Sequence, residues 1–121
     1  MGYQVEKLAA ENAMVGEGPV WDVESQSLYW IDIQGGKIWN YDPATGENKV
    51  LHDGYNVAGA TRNKQGGMAV GTWEGVQLWF SDDNYTWLHK GDVDGRPIKL
   101  NDVTVGPDGS LYGGSGHLDS C

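Results

Sequence analysis

The sequence predicts an all-β fold of repeated four-stranded antiparallel sheets, a partial β-propeller of about two and a half to three blades. Two observations predict it. Glycine is abundant at 19 residues, and six tryptophans and six tyrosines stand against a single phenylalanine. Glycine-rich sequence punctuated by aromatics is the pattern of short strands joined by tight turns, and it breaks every window long enough for a helix. A strand–turn–strand unit also recurs over residues 18–32, 58–72 and 101–115. Its second strand opens each time on an apolar anchor, Leu28, Met68 or Leu111. These anchors lie 40 and 43 residues apart, the period of a propeller blade.

The elements follow in order. Residues 3–9 form a lone strand candidate ahead of blade one, which occupies about 14–52. Its third strand, Lys37-Ile38-Trp39-Asn40-Tyr41, alternates apolar and polar residues as a half-buried strand does. The turn Asp42-Pro43-Ala44-Thr45-Gly46 follows, with a fixed backbone angle at Pro43 and a permissive one at Gly46. An outer strand near 48–52 completes the sheet. Blade two occupies about 56–90: Gly75-Val76-Gln77-Leu78-Trp79 is its third strand, Ser81-Asp82-Asp83-Asn84 its turn, and 85–89 its outer strand. Residues 99–116 supply half a blade, with strands at 102–105 and 110–114, and the ending from Gly113 through Cys121 reads as a flexible tail. The whole of 1–121 is one partial domain of eleven strands. A closed propeller has about four to eight blades, so both end faces are expected to be open, apolar and prone to association.

Composition narrows the function. The net charge is −9, from 17 acidic and eight basic residues, which repels phosphate backbones and argues against nucleic-acid binding. The one cysteine, Cys121, allows no intrachain disulfide, so a reducing cytoplasm is the expected compartment. The N-terminal residues show no basic and apolar leader. No apolar run approaches the ~20 residues that span a bilayer, so no membrane association is expected.

The inner strand of each blade lines the central channel, and its start is where site residues gather. Glu17 stands there in blade one, and Asn101 and Asp102 in the half blade. Carboxylate and amide oxygens are ligands that hard or borderline divalent cations accept. The competing reading, on even terms, is that Glu17 and Asp102 bond turn backbone.

The segments Gly16-Glu17-Gly18-Pro19-Val20-Trp21, Leu28-Tyr29-Trp30-Ile31-Asp32-Ile33, Gly36-Lys37-Ile38-Trp39 and Tyr41-Asp42-Pro43-Ala44-Thr45-Gly46-Glu47 resemble a known family in order and spacing. So do Leu100-Asn101-Asp102-Val103 and Gly106-Pro107-Asp108-Gly109-Ser110-Leu111-Tyr112. The family is that of senescence marker protein (regucalcin), gluconolactonase and luciferin-regenerating enzyme. The resemblance implies a six-bladed propeller with one divalent metal, calcium or zinc among others, in the channel. It implies sugar-lactone hydrolysis in which the metal polarises the ester carbonyl and activates water. By the same resemblance, Glu17 matches the family's first metal-binding glutamate and Asn101 an asparagine that contacts substrate. Lys99 stands where some members carry a substrate-holding arginine, which replaces a bidentate fork with a point charge. The family's other metal ligands, an asparagine and an aspartate, belong to later blades that this sequence does not include.

Two function classes follow. In the first, copies of the chain associate, a dimer closing the six-bladed ring being favoured, and bind a divalent metal with possible lactonase or esterase activity. In the second, the chain is a catalytically inactive propeller fragment that serves as a binding or interaction module. Other motifs carry less. Asp92-Val93-Asp94-Gly95 opens like a calcium loop, but the twelfth position is Val103, so a hairpin turn is expected. Asn84-Tyr85-Thr86 is a glycosylation sequon, expected to be fortuitous without a secretion signal. His52, His89 and His117 share no ligand spacing, and the tryptophans read as blade packing rather than a carbohydrate platform.

Overall fold

A computed structural model describes residues 2–116. Ten strands form three antiparallel sheets that follow one another along the chain. Blade one contains β1 (Gly16–Asp22), β2 (Ser27–Asp32), β3 (Lys37–Asp42) and β4 (Glu47–Asp53), paired in sequence order. Blade two repeats the pattern with β5 (Val57–Arg62), β6 (Met68–Thr72), β7 (Gly75–Ser81) and β8 (Asn84–Lys90). The half blade pairs β9 (Leu100–Val105) with β10 (Leu111–Ser115). The described residues contain no helix.

Local chemistry sets the turns. Between β3 and β4, the Asp42 carboxylate accepts the Ala44 N–H at 2.8 Å, and the Gly46 N–H donates to the Asp42 carbonyl at 2.8 Å. Gly46 takes the left-handed φ of 73° that this closure needs. Residues 92–97 make a small hairpin in which Val93 and Arg96 exchange backbone hydrogen bonds at 2.9 Å. Asp94 and Gly95, at φ 51° and 73°, are the two positive-φ residues of such a turn, so this is a hairpin and no calcium loop.

Alternation along the strands gives each blade two faces. Ile31, Ile38, Val57, Ala60, Met68, Val70 and Trp79 are buried together between blades one and two. Ala58, Leu100 and Val103 form a smaller cluster between blade two and the half blade, with Leu111 against it. Here the inner strands β5 and β9 come close. A Cβ on Gly59 would lie 2.7 Å from the Val103 nitrogen and 2.8 Å from Asp102 Oδ1, so glycine sets the approach.

Polar groups also cross from blade one to blade two. Arg62 pairs with the buried Asp22 at 3.3 Å and lies 5.4 Å over the Tyr29 ring. His52, only 3% exposed, meets Asp82 at 2.6 Å through Nδ1 and the Tyr55 carbonyl at 3.1 Å through Nε2. His52 is therefore a structural histidine.

Two local expectations change. Residues 3–9 form no strand; Tyr3 and Val5 are 98% and 96% exposed, and no strand among the described residues pairs with them. A β-strand is held by its neighbour's hydrogen bonds, and a strand-like segment without a neighbour stays irregular. Of the expected tail, Gly113, Gly114 and Ser115 belong instead to β10. His117 and Cys121 lie outside the described residues.

Replacing Ile38, which is 1% exposed between the blades, by Ala is expected to lower stability by about 2–5 kcal/mol. Leu28→Ala, at a half-buried position on the outer face, should cost distinctly less. Urea unfolding midpoints measured at unchanged m-value check both.

Candidate functional site

The pairs Gly16↔Asp32, Val57↔Thr72 and Leu100↔Ser115 stand at the same rim of the three sheets. The starts of β1, β5 and β9 therefore share that rim. Each sheet carries a register shift there. It falls between Glu17 and Val20 in β1, between Val57 and Gly59 in β5, and between Gly114 and Ser115 beside Asn101. Bulges interrupt the ladder and re-aim side chains, and they are common next to sites. In β1 the bulge passes through Gly18 at φ 62°, packed so closely that a Cβ would sit 3.3 Å from Ile31 Cγ1.

The rim brings three of the expected residues to one end of the molecule. Glu17 and Asn101 are exposed at their bulges, and Lys99 is half-buried just before β9. Lys99 Nζ stands 3.9 Å from the centre of the Trp73 ring, in the turn between β6 and β7. The corresponding position in blade two is Ala58, which is buried and carries no polar side chain. Glu17 also borders an open groove of about 330 Å³ with Ala13, Pro19, Leu28 and Trp30 on the outer side of blade one.

Asp32 secures the approach to Glu17. Its carboxylate accepts the N–H groups of Met14 and Val15 at 2.9 Å each and that of Gly35 at 3.0 Å. The Ile33 N–H donates to the Val15 carbonyl at 3.0 Å, and Asn56 Nδ2 donates to the Ile33 carbonyl at 2.7 Å. The segment leading into Glu17 is thus tied to the β2–β3 turn, and that turn to blade two. Burial works to raise the Asp32 carboxyl pKa, but the Val15, Gly35 and Met14 N–H groups and nearby Lys37 outweigh it and hold the group below its ordinary value.

The Asp102 carboxylate accepts the N–H of its own neighbour Val103 at 2.8 Å, within β9 and not in a turn. Among the described residues, no three His, Cys, Asp or Glu side chains are grouped to hold a metal ion. Glu17 is one carboxylate, and the residues present do not make a complete metal centre. His89 is exposed, its Nε2 3.1 Å from the Gly91 carbonyl, and Asn84 opens the exposed outer strand β8. No helix among the described residues is long and apolar enough to cross a membrane.

The tryptophans divide in a way the strand pattern does not show. Trp79 is core, and Trp30 stacks on Trp39 with ring centres 5.2 Å apart on blade one's outer side. Trp73 is 38% exposed at the site rim. The available signal was its place in Thr72-Trp73-Glu74, a connection between strands rather than a strand interior.

A carboxyl whose folded pKa lies below its unfolded value, about 3.9 for Asp, adds stability above that pH and loses it as pH falls through the folded value. Asp32→Asn should therefore weaken the protein at pH 7 and flatten the loss of stability below about pH 4. Urea unfolding of both proteins from pH 7 down to pH 2 reads the difference.

Comparison with known proteins places this rim in context. The SMP-30/Gluconolactonase/LRE-like region matches residues 15–121. A pentonolactonase of Haloferax volcanii is 28% identical over 111 residues, which are 92% of this chain and 38% of the relative. Regucalcin of Oryctolagus cuniculus is 31% identical over 114 residues, 93% of this chain and again 38% of the relative. The chain thus spans well under half the length of the curated relatives it matches. Among solved structures, a luciferin-regenerating enzyme superposes with a TM-score of 0.76 at 22% identity, covering 90% of this chain and 38% of that one. A gluconolactonase from Xanthomonas campestris superposes at 0.73, also at 22% identity, covering 85% of this chain and 35% of that one. These likenesses bear out the propeller architecture, and the match over 15–121 makes the chain a member of the SMP-30/gluconolactonase/LRE-like family.

Proposed function

We propose that this chain supplies one side of a lactone-binding channel, completed by further strands. The carrying observation is the repeated bulge at the start of the inner strands, which sets Glu17 and Asn101 at one rim beside Lys99. In this reading Asn101 offers its amide N–H donors to the ring and carbonyl oxygens of a sugar lactone and its amide oxygen to a hydroxyl. Lys99 offers ammonium N–H donors to its hydroxyls. Glu17 supplies one carboxylate to a divalent cation, calcium or zinc, whose remaining donors come from the completing strands. The hydrolytic step belongs to the completed ring, since the residues present leave the metal centre unfinished.

A second copy of the chain is the completing partner we favour. Blade one turns an aromatic outer side outward, with Trp21 46% exposed near the stacked Trp30 and Trp39. The far end shows Tyr112, 57% exposed, beside Thr104 and Asp102. Surfaces of this kind are covered in closed propellers, and a twofold pair would cover both.

Analytical ultracentrifugation should give a dimer, with hydrolysis of D-glucono-1,5-lactone that depends on added calcium or zinc. Glu17→Gln should weaken metal binding by at least about the ten- to hundredfold that loss of an outer-shell partner costs. A stable monomer that binds no metal and turns over no lactone supports the inactive binding module instead.

A further inference from the structure

The 92–97 hairpin and the turn that carries Trp73 enclose an open cavity of about 220 Å³. Trp73, Glu74, Lys90, Asp92, Pro97 and Ile98 form its walls. Both sides are braced. Thr72, 2% exposed, accepts with Oγ1 the N–H groups of Glu74 at 3.0 Å and Gly75 at 3.1 Å. The Gly91 N–H donates to the Glu74 carbonyl at 2.9 Å, which joins the Trp73 turn to the foot of the hairpin. Lys99 covers one side of the indole and is not a wall of the cavity, so the cavity meets a different part of the ring. Ile98 leads into Lys99 and β9, and Lys90 ends β8, so the cavity lies outward of Asn101 along the same rim.

The wall chemistry selects a ligand. Among the described residues, neither Glu74 nor Asp92 gives its carboxylate to an ion pair or a hydrogen bond. The cavity thus combines a fixed apolar plate with two carboxylates that accept hydrogen bonds. An anion is repelled by those carboxylates, and a cation meets the Lys90 ammonium in the same wall. A neutral polyol meets neither penalty. A pyranose ring has the matching surfaces, with axial C–H groups that form an apolar face and hydroxyls that donate around its edge. We propose that this cavity is a subsite for a second sugar ring, so that the ligand of the rim is a disaccharide lactone. Its lactone ring would lie by Asn101 and its glycosyl ring against Trp73, with hydroxyls on Glu74 and Asp92. The assignment rests on the lactone-binding reading above and narrows its substrate class.

The test uses the full chain and calorimetric titration with D-gluconate, cellobionate and maltobionate, the last two carrying a β- or α-linked glucose ring. The wild type should bind one of the disaccharide acids about tenfold more tightly than D-gluconate, the scale of one stacked ring with its hydroxyl contacts. Trp73→Ala should bring that ratio close to one, and Trp73→Phe should recover part of it. Glu74→Ala and Asp92→Ala should each lower it. The Trp73 indole N–H signal should move on adding the preferred disaccharide acid and far less with D-gluconate. KM for the matching disaccharide lactone and for D-glucono-1,5-lactone should differ in the same ratio. A wild type that binds D-gluconate as tightly as either disaccharide acid overturns the subsite and leaves the lactone reading standing. So does a ratio that survives Trp73→Ala, or a Trp73 signal that stays in place. A wild type that binds none of the three acids and hydrolyses no lactone overturns both readings.

Discussion

A propeller blade is a sheet with two apolar sides and no helix to cover either, so every blade depends on its neighbours for burial. In this chain that dependence is met twice. Ile31 and Ile38 from one sheet close against Val57, Met68 and Val70 of the next, and Leu100 and Val103 close against Ala58. The rest of the structure follows from these junctions. They fix the spacing of the inner strands, and the strand starts carry Glu17 and Asn101. The junction at β9 is close enough that it admits no side chain at Gly59, which makes the strand carrying Asn101 part of the packing and not an appendage to it.

Polar contacts add direction to this apolar stacking. The Asp22–Arg62 and His52–Asp82 pairs both join blade one to blade two, each with a buried member, so removing one partner would strand a polar group away from water. The pairs Lys37–Asp53 and Lys49–Glu47 lie within one sheet, reached by solvent, and contribute little. The cross-blade pairs set the relative rotation of two sheets whose apolar faces would tolerate sliding.

Much of this was legible in the sequence, because blade structure is written in period and alternation. The anchors Leu28, Met68 and Leu111 fall at the starts of β2, β6 and β10, and the turns expected at 42–46 and 81–84 fall between β3 and β4 and between β7 and β8. The strand expected at 3–9 failed because a strand needs a neighbour to bond, and none among the described residues pairs with it. The site was legible only in part. Glu17 and Asn101 could be named from their place at the inner strands, and Lys99 only from the family resemblance. The bulges that aim them arise from register between strands, which a linear pattern does not encode. Trp73 was hidden for a related reason: an indole in a turn and one in a strand look alike until the fold places Lys99 over the first.

The two ends of this stack are unlike. One presents indole rings, the other a tyrosine with threonine and aspartate. A surface that fits something other than itself makes a head-to-tail contact, and such contacts have a sense of direction. Whether they stop or continue is then a matter of angle alone. If the turn accumulated by the blades of two copies comes to a full circle, the last contact meets the first and growth ends. If it falls short or rises out of plane, the same contact repeats without limit, and the product is a filament. If copies associate as proposed, the rotation that Arg62 and His52 help to set between neighbouring sheets decides between a finite object and an endless one.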